Sequence, residues 1–249
     1  MSLSLTQVNF SYAANCSEPV LTDFSYSFKP GRFYGIFGAN GSGKSTLLKL
    51  LAGDLTGDKP VLLEGRVLQS LKNAFIAEKL AYAAQEEELV LPFKVRDCIK
   101  LGRYIRRDEN APIIDRLLET FQIAHLAEKN FAELSGGERQ KVKLLRIFAQ
   151  DTEYILLDEP ASSLDLPRQL ELYENLQRIA HNENKCIIMV CHDLYTAPSF
   201  IDEMLLLKKG KLLYGGSPDT PEAGRAVSCA FDRQLEIRRN NCNNVEISW

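Results

Sequence analysis

Apolar and polar positions trade places along the first part of the chain. LTQVNF (5–10) and DFSYSF (23–28) set apolar residues at near-alternate positions, the two-residue period of a half-buried strand, and KPG (29–31) is a turn. FYGIF (33–37) is a short apolar run that feeds a glycine-rich stretch. Beyond it the spacing changes, and leucines at 47, 48, 50 and 51 predict a buried helix from Thr46 to Ala52. LEGRVL (63–68) and KLAYAAQ (79–85) predict further strands. VRDCIKLGR (95–103), PIIDRLLETFQI (112–123) and GERQKVKLLRIFAQ (137–150) carry helical spacing. EYILLDEP (153–160) and KCIIMVCHD (185–193) return to continuous apolar runs, as in parallel strands covered on both faces. Between them, LPRQLELYENLQRIAHNEN (166–184) is an amphipathic helix, and the tail from about 221 is polar. The pattern predicts an α/β core interrupted by a helical subdomain over about 86–147, with no internal repeat.

Composition narrows the class. Of 249 residues, 45% are hydrophobic and 25% charged, as in ordinary globular proteins, and the net charge of -3 argues against nucleic-acid binding through bulk charge. Cys16, Cys98, Cys186, Cys191, Cys229 and Cys242 show no CxxC and no metal-ligand spacing, and are expected as reduced thiols in a cytoplasmic protein. No basic segment followed by an apolar core opens the chain, so no signal peptide is expected. No apolar run nears the ~20 residues of a bilayer span, so any membrane association is expected to go through a partner.

The glycine-rich stretch GANGSGKST satisfies Gly38-x-x-x-x-Gly43-Lys44-Ser45, the P-loop pattern. Glycines there let backbone N–H groups wrap phosphates, Lys44 reaches the outer phosphates, and the Ser45 hydroxyl binds Mg²⁺ at the positive end of a helix. ILLDEP delivers Asp158 to the C-terminal end of a buried strand, where α/β folds place ligands; it is the expected Mg²⁺ partner. Glu159, one residue on, faces elsewhere and is a candidate to accept a proton from, or orient, an attacking water. LSGGERQ (134–140) reads as a capping box, Ser135-x-x-Glu138, opening the next helix. That reading leaves two glycines unexplained, Gly136 and Gly137, each costing about 1 kcal/mol against alanine in a helix. A phosphate that must approach the helix end closely explains them. One protomer has no evident use for two such sites, whereas a head-to-tail dimer would close one ATP between the loop of one copy and LSGGE of the other.

In combination these motifs resemble the ATP-binding subunit of an ABC transporter over about residues 3–220. The resemblance implies a P-loop NTPase core of RecA-like type, with an N-terminal antiparallel β subdomain and an inserted α-helical subdomain. It makes 1–220 a single ATPase domain and 221–249 a C-terminal tail. Tyr12 matches the aromatic that stacks on adenine, and Gly38, Ala39, Asn40, Gly41, Ser42, Gly43, Lys44, Ser45 and Thr46 match the Walker A loop. Gln85 matches the Q-loop glutamine that approaches Mg²⁺ and senses the membrane partner. Leu134, Ser135, Gly136, Gly137 and Glu138 match the signature, with Glu138 where many members carry Gln. Asp158 and Glu159 match Walker B and the catalytic base, Ser163, Leu164 and Asp165 the D-loop, and His192 the switch histidine. Taken singly, Tyr12, Gln85 and His192 read as packing, a surface amide and a strand-end histidine.

LPFKVRDCIKLGRYIRR, after Gln85, is similar to the segment that helps form the permease groove in ATPases of ferric-siderophore, haem and cobalamin importers, and SGGERQKV and AFDRQLEI fit the same group. Leu89, Val90, Leu91 and Phe93 are candidates for the groove floor, with core packing as the other reading. The resemblance implies a homodimer of ATPase subunits, integral-membrane permease subunits and, indirectly, a substrate-binding protein as partners, with ATP and Mg²⁺ as ligands. It places the chain peripherally on the cytoplasmic face of the inner membrane. A soluble ABC ATPase, for example in iron–sulfur assembly, would carry the same motifs. A chromosome-maintenance ATPase head would need coiled-coil arms, which are missing here. A non-catalytic regulator would lack one of Lys44, Glu159 or His192.

Overall fold

The computed structural model describes residues 2–12, 19–84, 93–106, 108, 111–162, 164–232, 236–239 and 245–248. Leu3–Phe10 (β1) and Leu21–Phe28 (β2) pair antiparallel, and Arg32–Phe37 (β3) leads through the glycine loop into Lys44–Ala52 (α1). LEGRVL is not one strand. Leu62–Leu63 (β4) and Arg66–Val67 (β5) form a hairpin whose turn residues, Glu64 and Gly65, have φ of 53° and 78°. Two consecutive positive φ values match the tight turn that the right-handed strand twist favours. Asn73–Lys79 (α2) precedes Leu80–Ala83 (β6), and the helical part contains Val95–Lys100 (α3), Ala111–Thr120 (α4) and Gly136–Ala149 (α5). Tyr154–Asp158 (β7), Leu166–Asn182 (α6) and Cys186–Val190 (β8) follow the expected strand–helix–strand order. Glu203–Lys208 (β9) and Lys211–Gly216 (β10) form a second tight hairpin, turning at Lys209 and Gly210, that the periodicity did not predict. Pro221–Phe231 (α7), within the stretch read as polar, buries Ala223, Val227 and Ala230; Glu236–Arg239 (β11) and Val245–Ser248 (β12) pair antiparallel.

The larger sheet has the order β10-β9-β3-β8-β7-β6, with β9, β3, β8, β7 and β6 parallel and β10 antiparallel at one edge. The smaller sheet, β2-β1-β4-β5, is antiparallel. Continuous apolar runs in the parallel strands now have a reason. Alternate residues point to opposite faces. Tyr34, Ile36, Tyr154, Leu156, Ile188 and Val190 enter one core with α1 and the small sheet; Phe33, Phe37, Ile155, Leu157, Ile187 and Met189 enter the other with α3 to α7. Each such side chain, fully buried, contributes roughly 1.5–3 kcal/mol.

The LGR of the helical part is a packing device. A Cβ on Gly102 would lie 2.0 Å from the Arg146 carbonyl oxygen, so only glycine lets this turn touch α5. Buried Arg103 donates from Nη1 to the Ala149 carbonyl (3.0 Å) and from Nε to Asp108 (2.7 Å), a cation at the negative end of α5. Among the described cysteines, Cys98, Cys186 and Cys191 are buried and Cys229 exposed, all as free thiols; Cys16 and Cys242 lie outside the described residues. No described helix is long and apolar enough to cross a membrane.

Candidate functional site

After β3 the backbone reaches α1 through Gly38, Gly41 and Gly43, with φ of 150°, 76° and 101°. A Cβ on Gly38 would sit 2.3 Å from the Leu207 carbonyl oxygen, and one on Gly43 would sit 2.8 Å from Leu21 Cδ2. The loop is thus held between β9 and the start of β2 at the distance of bare backbone. Lys44 is 6% exposed, and its Nζ donates to the carbonyls of Gly38 (2.9 Å) and Ala39 (3.2 Å). Burial lowers its pKa, opposed by the carboxylates of Glu159 and Asp158. Ser42 Oγ is buried with no hydrogen-bond partner among the described residues.

Asp158 ends β7, is 5% exposed, and accepts from the Ser45 hydroxyl at 3.1 Å, across 113 residues of sequence. Burial pushes its carboxyl above the usual range, and the Ser45 hydrogen bond pulls it partly back. Glu159 follows in left-handed backbone, φ 52°, a conformation that favours glycine, while its N–H bonds the Val190 carbonyl of β8 (3.2 Å). That twist turns the Glu159 side chain away from Asp158 and onto His192 Nε2, at 2.5 Å. His192 itself follows β8, which lies between β3 and β7 in the sheet.

These groups surround an open cleft of about 620 Å³, walled by Tyr12, Val20, Asn40, Gly41, Gly43 to Thr46, Glu159 and His192. Tyr12 is 62% exposed at the rim, its Oη 3.1 Å from Thr46 Oγ1 and its ring edge-on to Phe10. The donor set fits a nucleotide triphosphate: bare backbone at Gly41 and Gly43 in the cleft wall, a buried lysine and the N-terminal end of α1. It also fits Mg²⁺, which takes few protein oxygens and keeps waters: the Ser45 hydroxyl and the Asp158 carboxylate already converge. Among the described residues, no cluster of three or more His, Cys, Asp or Glu forms a dedicated metal site.

The LSGGE segment stands apart. The capping box forms: Ser135 N–H and Oγ both donate to Glu138 Oε2 (2.8 and 2.7 Å), and Glu138 N–H donates to Ser135 Oγ (3.4 Å). These bonds hold the Glu138 carboxyl below its usual range. A Cβ on Gly136 would meet nothing within 4 Å; on Gly137 it would meet only the far end of Arg168, at 2.5 Å, and Leu164 at 3.9 Å. Asp165 caps α6, its Oδ1 accepting from the Arg168 N–H at 3.2 Å. Neither Ser135 to Glu138 nor Asp165 is among the described walls of the cleft. Gln85 and Ser163, and with them Leu89, Val90 and Leu91, lie outside the described residues. Two glutamines missed from sequence hold the turn after Glu159. Gln140 Nε2 donates to the Pro160 carbonyl (3.2 Å), and Gln169 Nε2 to the carbonyls of Ala161 (3.2 Å) and Leu164 (3.0 Å). A glutamine on a helix has no local signal for such a long-range bond.

Residues 21–162 match the family described as ABC transporter. The chain is 32% identical over 222 residues to the hemin import ATP-binding protein HmuV of Vibrio vulnificus, with 85% of each covered. It is 35% identical over 230 residues to the protein of that name in Bordetella parapertussis, covering 86% of this chain and 88% of that one. To the cobalamin import ATP-binding protein BtuD of Halobacterium salinarum it is 30% identical over 243 residues, 95% of this chain and 60% of that one. Among solved structures, a metal-chelate type ABC transporter in an inward-facing conformation matches with TM-score 0.79 and 23% identity over 99% of this chain and 96% of that one. A bacterial ABC transporter cassette solved as a dimer matches with TM-score 0.75 and 22% identity over 86% and 98%. At these identities the solved structures bear on the fold alone.

Proposed function

The chain belongs to the ABC transporter family, and we propose that it is the ATP-hydrolysing subunit of an importer for a metal chelate such as a ferric siderophore, haem or cobalamin. The observation that carries this reading is the cleft in which Lys44, Ser45, Asp158, Glu159 and His192 converge from three separate stretches of sequence. In the proposed reaction the loop amides from Gly38 to Thr46 and Lys44 hold the phosphates, and Tyr12 stacks on the adenine. Ser45 and Asp158 hold Mg²⁺, with Gln85 as a further proposed contact. When bound, Mg²⁺ neutralises charge that develops on the phosphates. Glu159 accepts a proton from the attacking water or orients it, and His192 fixes the direction of the Glu159 carboxylate through their hydrogen bond.

We place Ser135, Gly136, Gly137 and Glu138, with Asp165, in the site of a second copy. Support comes from geometry: a helix end with open space before Gly136 is not part of its own cleft, and among the described residues the cleft is open. The homodimer would dock on membrane permease subunits on the cytoplasmic face, fed indirectly by a substrate-binding protein. Half-exposed Phe93 offers part of the groove. Nucleic acid has no role in this reading. The names of the hemin and cobalamin relatives support the cargo class.

Two experiments test it. Ser135→Arg protein mixed with Lys44→Ala protein should regain part of the lost ATPase activity, because one composite site of the heterodimer is then intact. Heterodimers that form and stay inactive would refute the shared site. Pulldown should recover an integral-membrane permease, and deletion of the gene should abolish uptake of one of the three cargo classes. Recovery of soluble partners alone, with uptake of all three intact, would favour the soluble ATPase.

A further inference from the structure

The turn that carries Glu159 is tied to the LSGGE helix by the Gln140 side chain. α5 begins at Ser135 and Gly136, and Gln140 lies five residues after Ser135, about 7.5 Å along the helix axis. From there its Nε2 reaches the Pro160 carbonyl at 3.2 Å. Pro160 is the residue next to Glu159. The turn has its own internal bonds, Ser162 N–H and Oγ to the Glu159 carbonyl (3.2 and 3.0 Å), and Gln169 clamps its far side from α6. These keep Glu159 in its left-handed conformation, which local sterics disfavour. Gln140 joins that turn to α5, whose own N-terminus is already rigid through the capping box.

We infer that Gln140 is a positioning residue that links the two nucleotide sites of a dimer through the interior of one protomer. The inference rests on the shared-site reading above. On that reading, Ser135 touches the phosphate bound by the partner, while Glu159 acts on the phosphate bound by its own protomer. Closing of α5 over the partner's phosphate displaces the helix end. Gln140 passes that displacement to the Pro160 carbonyl and so to the backbone that aims Glu159 at His192 and the water. Occupancy of one site then biases the catalytic carboxylate of the other, a contact that differs between the open and closed states, as a coupling element must. Packing alone does not require it: Gln140 is half-buried, and an apolar side chain of equal length would fill the same space.

The test is Gln140→Met, which keeps length and loses the donor, beside Gln140→Glu, which keeps shape and sets a carboxylate against a carbonyl. Both should bind ATP with unchanged affinity by equilibrium titration, and melt near the wild type. Turnover should fall by roughly 2- to 13-fold, the factor for one net hydrogen bond. The Hill coefficient for ATP should drop from about 2 toward about 1, two being the ceiling for two sites. A melting shift with cooperativity and turnover intact assigns Gln140 a purely structural role and overturns the link. If one variant fails to fold, the other decides. A wild-type enzyme with no cooperativity, together with a fully active Ser135→Arg protein, overturns the shared site itself; cooperative wild type with equally cooperative variants overturns only the link.

Discussion

Gly136→Ala separates folding from function at a single methyl group. Gly136 is the first residue of α5, and a Cβ there meets nothing within 4 Å. Its φ is not in the left-handed region, so alanine fits the backbone. Replacing glycine by alanine in a helix gains up to about 1 kcal/mol, less in the first turn, which for a chain of this size raises Tm by roughly 1–4 °C. The same methyl group projects into the open space through which a phosphate of the partner would reach the helix N–H groups. Loss of one charge-assisted hydrogen bond, about 1.5–3 kcal/mol, slows turnover by roughly 10- to 150-fold. The assay is thermal melting alongside steady-state ATP hydrolysis and equilibrium ATP binding. Expected is a protein that is more stable, binds ATP normally and hydrolyses it poorly. Gly137→Ala, which displaces only the mobile end of Arg168, is the companion: near-neutral in stability. A Gly136→Ala enzyme with full activity would refute the idea that a phosphate comes to this helix end.

Glu159→Gln should keep ATP binding, cut hydrolysis by ~10²-fold or more and accumulate an ATP-bound dimer, seen by gel filtration. Asp158→Asn should abolish Mg²⁺-dependent hydrolysis yet melt higher at neutral pH. The folded-state carboxyl pKa is raised, so the unfolded chain ionises first and the wild type loses stability as pH rises from the ordinary carboxylate range to that raised value; the advantage of Asp158→Asn should grow over that window and vanish in acid. Phe93→Asp should leave folding and the ATPase activity of the isolated subunit intact, because the ring is 44% exposed, and should uncouple hydrolysis from the permease in vesicles. Gly102→Ala should destabilise by roughly 1–3 kcal/mol in denaturant titration, since its Cβ would press on the Arg146 backbone.

What the chain determines by itself is whatever depends on a few consecutive residues. The capping box of Ser135 and Glu138 spans four positions, and the glycine loop is written in the positive φ values that Gly41 and Gly43 must adopt. Apolar runs at 154–157 and 186–190 announce strands buried on both faces because both neighbours in each run must find a core. The hairpin at Glu64–Gly65 is less legible, for a two-residue strand has too few positions to show a period. The hairpin at 203–216 joins β9, apolar without a break from Met204 to Leu207, to β10 on the sheet edge, so no common alternation marks the pair. The site itself is a tertiary product. Ser45 meets Asp158, and Glu159 meets His192, because β8 lies between β3 and β7 and the parallel order brings their C-terminal ends to one edge. Likewise only the fold explains why Gly38 tolerates no side chain: the Leu207 carbonyl that excludes one comes from a strand 169 residues further along the chain, and strand order is set by burial across the whole sheet rather than by any local pattern.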